Sequence, residues 1–262
     1  MLGKIAVHVS EEDPSYLSYI RDITSRLDTV PNFIYVEEEN LLGDLLGFFP
    51  KSSDVGQTAI AKSIGELFGD FYLHAFSGTR EQTISRLQED YDLLFVKYRR
   101  QLFRRSMPEW LVSETDNLRL WVYKEGARSD IKRVCLPVDF SSRSLKQVEF
   151  AEALKDFFDF DYELVYSVNT GRLKDKLDER DYLKSLSDKK EEVRHMYMDM
   201  FGEKGLNLVV LEGDPYKEMV KYLNSSRYDL VVVGRRGKGM RERIGSVSLH
   251  LIRSLRCPVV VL

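Results

Sequence analysis

The two halves of the chain repeat one order of strand-like segments, and this duplication limits the folds open to the sequence. The paired segments are 4–10 with 132–141, 71–78 with 206–213, 92–96 with 229–233, and 118–123 with 257–262. The repeat length is about half of the 262 residues. The sequence therefore predicts two tandem domains, 1–126 and 127–262, with the linker inside 124–130.

Within each half, strand-like runs alternate with segments of helical periodicity, which is typical of a parallel sheet covered by helices. Apolar residues recur every three or four positions from Leu145 to Phe158, so one buried helix face is predicted there. Asp214 and Pro215 suit the N-cap and first turn of a second helix, and a third is predicted over 247–255. Because the strands are continuously apolar, we expect each sheet to be buried on both faces. The fold class is α/β, with two tandem doubly wound, Rossmann-like parallel-sheet domains.

The charge and hydropathy patterns exclude some partners. The formal net charge is −3, so we expect no nucleic acid or membrane partner, and a site for a polyanion must be a local basic patch. No apolar run approaches the ~20 residues that span a bilayer. The first ten residues lack the basic and apolar pattern of a signal peptide, and we expect a cytoplasmic protein.

Cysteine and histidine are too sparse to predict a metal site or a disulfide framework. Cys135 and Cys257 both lie in apolar runs, and we expect reduced, buried thiols. The strand order would put one strand between them, roughly 10 Å at ~4.8 Å spacing, which exceeds the ~7 Å limit for a disulfide. The four histidines lack metal-ligand spacing and are interpreted as structural or solvent-facing.

Two loops of the second half follow strands, where a doubly wound sheet binds its ligands. Asp139 places a carboxylate after the first strand, and a Gly-rich turn runs from Gly234 to Ser246 into the last helix. Glycines allow close backbone approach, and a helix N-terminus directs N–H groups at an anion. The basic residues of the turn are Arg235, Arg236, Lys238, Arg241 and Arg243. The turn therefore suits a phosphate chain.

A purely structural interpretation of the same residues remains open. Gly234 and Gly237 could only turn the chain, Gly245 could relieve helix crowding, and the basic residues could be solvated surface. Asp139 could N-cap the helix that follows, which is the commoner use of Asp at a strand-to-helix junction. One aspartate can fill both roles.

Four separated motifs in the second half resemble the universal stress protein family. They are LPVDFS at 136–141, LEGDPYKEMVKYL at 211–223, DLVVVGRRG at 229–237, and GSVSLHLIRSLRCPVVVL at 245–262. The resemblance extends over nearly all of 131–262. It implies an adenine nucleotide alpha hydrolase-like fold that binds ATP or another adenine nucleotide, with or without Mg²⁺.

The resemblance also implies a role for individual residues. Asp139 would lie at the adenine end, and Val168 would offer its backbone to adenine. The residues expected around the ribose and phosphates are Gly234, Arg235, Gly237, Lys238, Gly245, Ser246 and Val247. The family's nucleotide-binding members carry G-x2-G-x9-G-S/T, whereas this turn is G-x2-G-x7-G-S. The two missing residues affect the phosphate end and leave the adenine end unchanged.

The first half departs further from the family pattern. Ser10 stands where Asp139 stands, and residues 97–103 replace the Gly-rich turn with side chains that prevent close backbone approach. No nucleotide is predicted in this half. Its apolar insert at 41–50 is interpreted as a helix packed on the sheet, or alternatively as a partner-binding patch.

The resemblance further implies pairing through last strands. Segments 118–123 and 257–262 would each be a sheet edge, and unpaired edges seek partners. The two halves of one chain could then imitate a homodimer, and a homodimer of chains is the alternative.

Three functions follow from these observations. The leading hypothesis is a stress-response or regulatory protein that binds an adenine nucleotide in its C-terminal half. The alternatives are a dimeric scaffold that binds no nucleotide and a weak ATPase. Paired carboxylates for Mg²⁺, a G-x4-G-K-S/T loop and a positioned base are not visible near 234–246, so no catalytic residue is predicted.

Overall fold

The chain divides into two compact units, Met1–Asp130 and Ile131–Val260, which we call unit 1 and unit 2. They are seen in a computed structural model that describes residues 3–36, 54–76, 79–101, 105–170, 178–235 and 246–262. The apolar insert at 41–50 and most of the Gly-rich turn lie outside the described residues.

Unit 1 alternates strands with helices along the chain. Its elements are β1 Ile5–Val9, α1 Pro14–Arg26, β2 Asn32–Tyr35, α2 Asp54–Phe68, β3 Leu73–Ala75, α3 Arg80–Asp90, β4 Leu93–Lys97, α4 Met107–Glu114 and β5 Arg119–Tyr123. The strands are parallel in the order β3-β2-β1-β4-β5. The order reverses between β1 and β4.

Unit 2 repeats this arrangement. Its elements are β6 Arg133–Pro137, α5 Ser142–Leu154, β7 Asp161–Asn169, α6 Glu179–Phe201, a 3-10 turn at Gly202–Lys204, β8 Leu208–Gly213, α7 Pro215–Ser225, β9 Leu230–Val233, α8 Ser246–Ser254 and β10 Val259–Val261. The strand order is β10-β9-β6-β7-β8, with β6 parallel to β7 and β9. The α/β fold class is confirmed, and the order reverses between β6 and β9.

Helices α1 and α7 begin at residues whose types favour a helix start. Asp13 and Asp214 accept backbone N–H bonds as the N-caps of α1 and α7, and a proline follows each cap in the first turn. The predicted start of α7 is confirmed. Helix α5 ends at Leu154, four residues before the periodic apolar pattern ends. Phe158 lies beyond the helix but is buried in the core.

The sheet of unit 2 is not buried evenly. Strand β9 is buried at every position, whereas β8 has no fully buried residue. Strand β8 is the last in the order, and the long helix α6 buries only Leu186, Val193 and Phe201 along its length. The expectation of burial on both faces is therefore wrong for this strand, because an edge strand lacks a neighbour on one side.

Candidate functional site

Polar residues follow the two strands that flank the reversal of strand order in unit 2. Asp139 comes two residues after β6, and Gly234 and Arg235 come directly after β9. The carboxyl ends of neighbouring parallel strands meet at one edge of a sheet, where doubly wound proteins bind ligands. We call these three residues the carboxyl-edge site.

Asp139 is fixed by its own loop. Its Oδ1 accepts hydrogen bonds from the Ser141 N–H at 3.1 Å and from the Ser144 hydroxyl at 3.0 Å. The Ser144 oxygen accepts in turn from the Asp139 N–H at 3.2 Å. The N-cap of α5 is Ser141, whose hydroxyl accepts from the Arg143 N–H. The N-cap interpretation of Asp139 is therefore wrong, because its carboxylate closes the turn that precedes the cap.

The next residue, Phe140, has a backbone conformation that is rare for a bulky side chain. Its φ is +54°, and such a conformation costs of order 1–3 kcal/mol. Its ring is 6% exposed and packs 5.2 Å from Tyr166 and 6.3 Å from Phe201, measured between centroids. Burial and ring packing of Phe140 offset the backbone strain.

Gln147 connects the two strands at the reversal and was missed by the sequence analysis. This side chain of α5 is 2% exposed, and its amide donates to the carbonyls of Pro137 in β6 and Val232 in β9, each at 2.8 Å. A polar residue on the apolar face of a predicted helix was the available signal, since Gln147 lies one turn before the buried Ala151. Its amide therefore links the carboxyl ends of β6 and β9 beneath the carboxyl-edge site.

The loop after β9 is also held from within unit 2. The Ser248 hydroxyl of α8 donates to the Gly234 carbonyl at 2.6 Å, and the Arg235 N–H donates to the Leu262 carbonyl at 3.0 Å. Arg235 is only 3% exposed. The structure therefore buries Arg235 in the loop after β9. Strand β9 is the neighbour of β6, the strand that leads to Asp139.

Val168 lies in β7, but its backbone is directed away from the carboxyl-edge site. The Thr170 N–H donates to the Gly213 carbonyl of β8. Along a parallel strand, the backbone groups of successive residues point alternately to one neighbouring strand and to the other. Val168 lies two residues before Thr170 in the ladder with β8, so its backbone groups also point to β8. Ser167 and Asn169 direct their backbone groups to the side of β6 instead.

The remaining predicted residues divide between described and undescribed parts of the chain. Ser246 is the first residue of α8, and the half-buried Val247 follows it. Gly237, Lys238 and Gly245 lie outside the described residues.

The corresponding edge of unit 1 is occupied by ion pairs. Lys97 ends β4 and contacts the Asp13 carboxylate, and its Nζ lies 3.7 Å from Glu11 Oε1. Arg99 also contacts Glu11. The side chains of Lys97 and Asp13 are 19% and 14% exposed. Carboxylates of unit 1 therefore lie beside the two cations at and after the end of β4.

Neither Cys135 nor Cys257, both within the described residues, forms a disulfide, and β9 lies between β6 and β10 in the strand order. The predicted burial is confirmed for Cys135 and is wrong for Cys257, which is only half-buried because it lies in the segment between α8 and β10. Burial, with Glu163 and Cys257 nearby, raises the pKa of the Cys135 thiol, which keeps it protonated. In the part of the chain that the structure describes, no group of three or more His, Cys, Asp or Glu side chains could hold a metal ion. None of the described helices is long and apolar enough to cross a bilayer.

Two doubly wound parallel sheets, one with a carboxylate and an arginine at its strand reversal, define a Rossmann-like α/β protein. The model of the Universal stress protein family matches residues 130–262, half of the chain. The chain belongs to the universal stress protein family.

Relatives extend the likeness in sequence and in fold. A universal stress protein of Methanocaldococcus jannaschii is 29% identical over 137 residues, which are 50% of this chain and 81% of the relative. The structure of a universal stress protein from Archaeoglobus fulgidus matches 100% of this chain and 96% of its own, with 15% identity and a TM-score of 0.63. One from Pseudomonas aeruginosa matches 99% and 92%, with 12% identity and a TM-score of 0.68. The fold is therefore shared across both halves.

Proposed function

We propose that this chain is a cytoplasmic stress-response or regulatory protein that binds ATP or another adenine nucleotide at the carboxyl-edge site of unit 2. One observation carries the proposal. Asp139 and the pair Gly234 and Arg235 follow the two strands that flank the strand reversal, and Gln147 links those strands. A carboxylate can accept hydrogen bonds from ribose or adenine, and a buried cation attracts phosphate more strongly than an exposed one.

The difference between the units supports the choice of unit 2. Unit 1 has Ser10 in place of Asp139, and Lys97 and Arg99 contact carboxylates of their own unit. A phosphate would have to displace Glu11 from those cations. We therefore propose no nucleotide in unit 1.

We modify the proposed adenine contact by one position. The backbone groups of Ser167 and Asn169 face the side of β6, whereas those of Val168 face β8. The Ser167 hydroxyl is buried and has no hydrogen-bond partner among the described residues, so a polar ligand atom would satisfy it. The adenine edge is proposed to contact Ser167 or Asn169.

Thermal unfolding with nucleotides tests the function. ATP, ADP or AMP at millimolar concentration should raise the melting temperature, because a ligand that binds only the folded state stabilises it. Absence of any shift contradicts nucleotide binding and leaves the scaffold hypothesis. Steady phosphate release with ATP would instead favour a weak ATPase.

Two variants of Asp139 assign the site. Asp139→Asn keeps an oxygen for the turn but loses the charge, and Asp139→Ala loses both. Each should weaken nucleotide binding by about tenfold or more, since a hydrogen bond to a charged group is lost. Asp156→Asn, an exposed aspartate that follows α5, is the matched control and should bind like the original protein. Full affinity in both Asp139 variants would place the ligand elsewhere.

The pairing of 118–123 with 257–262 belongs to the same proposal. Light scattering of the purified protein should give the mass of one chain, 30.5 kDa, if the pairing is internal. Twice that mass would support a homodimer instead.

A further inference from the structure

A cavity lies at the amino-terminal edge of the strands of unit 2, opposite the carboxyl-edge site. Its volume is about 300 Å³, at the lower end of the range of small-molecule pockets. The residues that give it chemical character are Arg133, Asp161, Glu163, Asn207 and Tyr228. We call it the amino-edge cavity, and neither Asp139 nor the Gly-rich turn lines it.

Glu163 is held rigidly in the wall of this cavity. Its Oε1 accepts from the hydroxyls of Tyr222, at 3.1 Å, and Tyr228, and its Oε2 accepts from the Asn207 amide at 2.7 Å. Burial and the neighbouring carboxylate raise the pKa of Tyr222, so its phenol stays a donor. No cation pairs with Glu163 among the described residues. This wall is therefore ordered and carries negative charge.

Arg133 is fixed at the rim and keeps donors available. Its Nη1 donates to the Ser226 carbonyl at 2.6 Å, and the guanidinium lies 5.0 Å from the centre of the Tyr228 ring. A guanidinium has five N–H donors, and in the described chain the Arg133 side chain uses one of them. The other donors can bind a carboxylate in a two-point geometry.

Asp161 is the register partner of Arg133 on the neighbouring strand, yet the two side chains form no ion pair. Arg133 is turned toward Ser226 and Tyr228. Within the described ranges, the Asp161 carboxylate has no hydrogen bond or ion pair of its own. Two opposite charges therefore line one cavity without neutralising each other.

We propose that the amino-edge cavity binds a small zwitterion of the amino-acid class. The ligand carboxylate would pair with Arg133, and the ligand ammonium would pair with Asp161 beside the negative wall of Glu163. The Tyr228 ring supplies an apolar surface for the ligand side chain. This site is independent of the nucleotide proposed at the other edge of the sheet.

Unit 1 shows that the fold does not require this arrangement. The Phe33 N–H donates to the Tyr72 carbonyl as the Leu164 N–H donates to the Asn207 carbonyl, which aligns the two units. At the positions of Asp161, Glu163 and Asn207, unit 1 has Val30, Asn32 and Tyr72. Val30 and Tyr72 are each 73% exposed. Both acidic groups are therefore specific to unit 2, as expected for a ligand site.

Saturation-transfer NMR of the full chain against the twenty protein amino acids tests the proposal. At least one should bind with a dissociation constant of about 1 mM or lower. Two analogues of the best ligand are the controls: an amine that lacks its carboxylate and a carboxylic acid that lacks its ammonium group. Each should bind at least about tenfold more weakly than the amino acid. No saturation transfer from any amino acid at millimolar concentration, or equal binding of the amine or the acid, would overturn the proposal.

Variants assign the contacts. Asp161→Asn, at an exposed position that should fold normally, and Arg133→Lys should each weaken binding by about tenfold or more. Asp159→Asn removes a fully exposed carboxylate two residues from Asp161 and should leave the affinity unchanged. Asp139→Asn should also leave it unchanged, which separates this site from the nucleotide site. Undiminished binding in Asp161→Asn would refute the assignment.

Discussion

Asp139 shows how far a single residue can be interpreted from sequence. Its position after a predicted strand was enough to mark it as a site candidate, because parallel sheets expose the carboxyl ends of their strands. Its hydrogen bonds to Ser141 and Ser144 could not be predicted, since they depend on the left-handed backbone of Phe140. Phe140 is not a residue type that favours positive φ, so only tertiary packing accounts for it.

Buried polar residues were the hardest to recognise from the sequence. Gln147 and Arg235 are 2% and 3% exposed, yet polarity alone favours the surface for both. From the sequence we predicted Arg235 to be part of a basic turn, whereas the structure buries this residue. In each case the environment comes from strands distant in sequence.

His8 gives a pH dependence at the residue scale. It is fully buried in β1 and Nε2 lies 3.3 Å from the Val36 carbonyl; burial lowers its pKa from 6.5 to about 4. The unfolded chain therefore takes up a proton first as the pH falls. Stability contributed by neutral His8 is present above about pH 6.5 and is lost between there and about pH 4.

Urea unfolding measures this effect. The free energy of unfolding should fall by about 2 kcal/mol more between pH 7 and pH 5 in the original protein than in His8→Gln. The difference between the two proteins isolates His8 from the acidic groups. Parallel pH profiles would contradict the buried neutral imidazole.

The ion pairs of unit 1 give a second residue-scale prediction. Lys97→Met leaves Asp13 without its partly buried cation and should lower the free energy of unfolding by about 1–3 kcal/mol. Lys62→Met is the matched control, because Lys62 is 78% exposed and pairs with Glu66 at 3.9 Å. It should change stability by no more than about 0.5 kcal/mol. Equal effects of the two substitutions in urea unfolding would contradict the structural role of Lys97.

At the scale of secondary-structure elements, the sequence predicted the positions of strands and helices well. It predicted their first and last residues less well. Asp214 and Pro215 begin α7 as predicted, because capping depends on a few local residues. The apolar pattern to Phe158 overestimated α5, since a core residue after a helix can continue the apolar spacing. The uneven burial of β8 followed from its place at a sheet edge, which strand composition does not reveal.

Helix α5 gives a prediction at this scale through Gln147, which bonds β6 and β9 at their carboxyl ends. Gln147→Leu leaves two buried carbonyls without this donor and should lower the free energy of unfolding by about 1–3 kcal/mol. Nucleotide affinity should fall as well, because the side-chain bonds that join the two strand ends beneath the site are lost. Lys146→Leu, at an exposed position of the same helix, controls for the added leucine. A Gln147→Leu protein as stable as the Lys146→Leu protein would refute the linking role.

At the scale of the whole molecule, duplication was the most reliable inference from sequence. Corresponding strands carry corresponding hydrogen bonds: Asp92 accepts from the Lys4 N–H, and Asp229 accepts from the Arg133 N–H. The units have nevertheless diverged at both edges of their sheets. Unit 1 has internal ion pairs where unit 2 has Asp139 and Arg235, and it lacks the acids of the amino-edge cavity.

This divergence means that one chain should bind one nucleotide. Isothermal titration of this chain with ATP measures how many nucleotides it binds. The same titration of Asp139→Asn tests where the nucleotide binds. We predict one nucleotide per chain and an affinity at least about tenfold weaker in Asp139→Asn. Two nucleotides per chain, or a single site unaffected by Asp139→Asn, would contradict a nucleotide site confined to the carboxyl edge of unit 2.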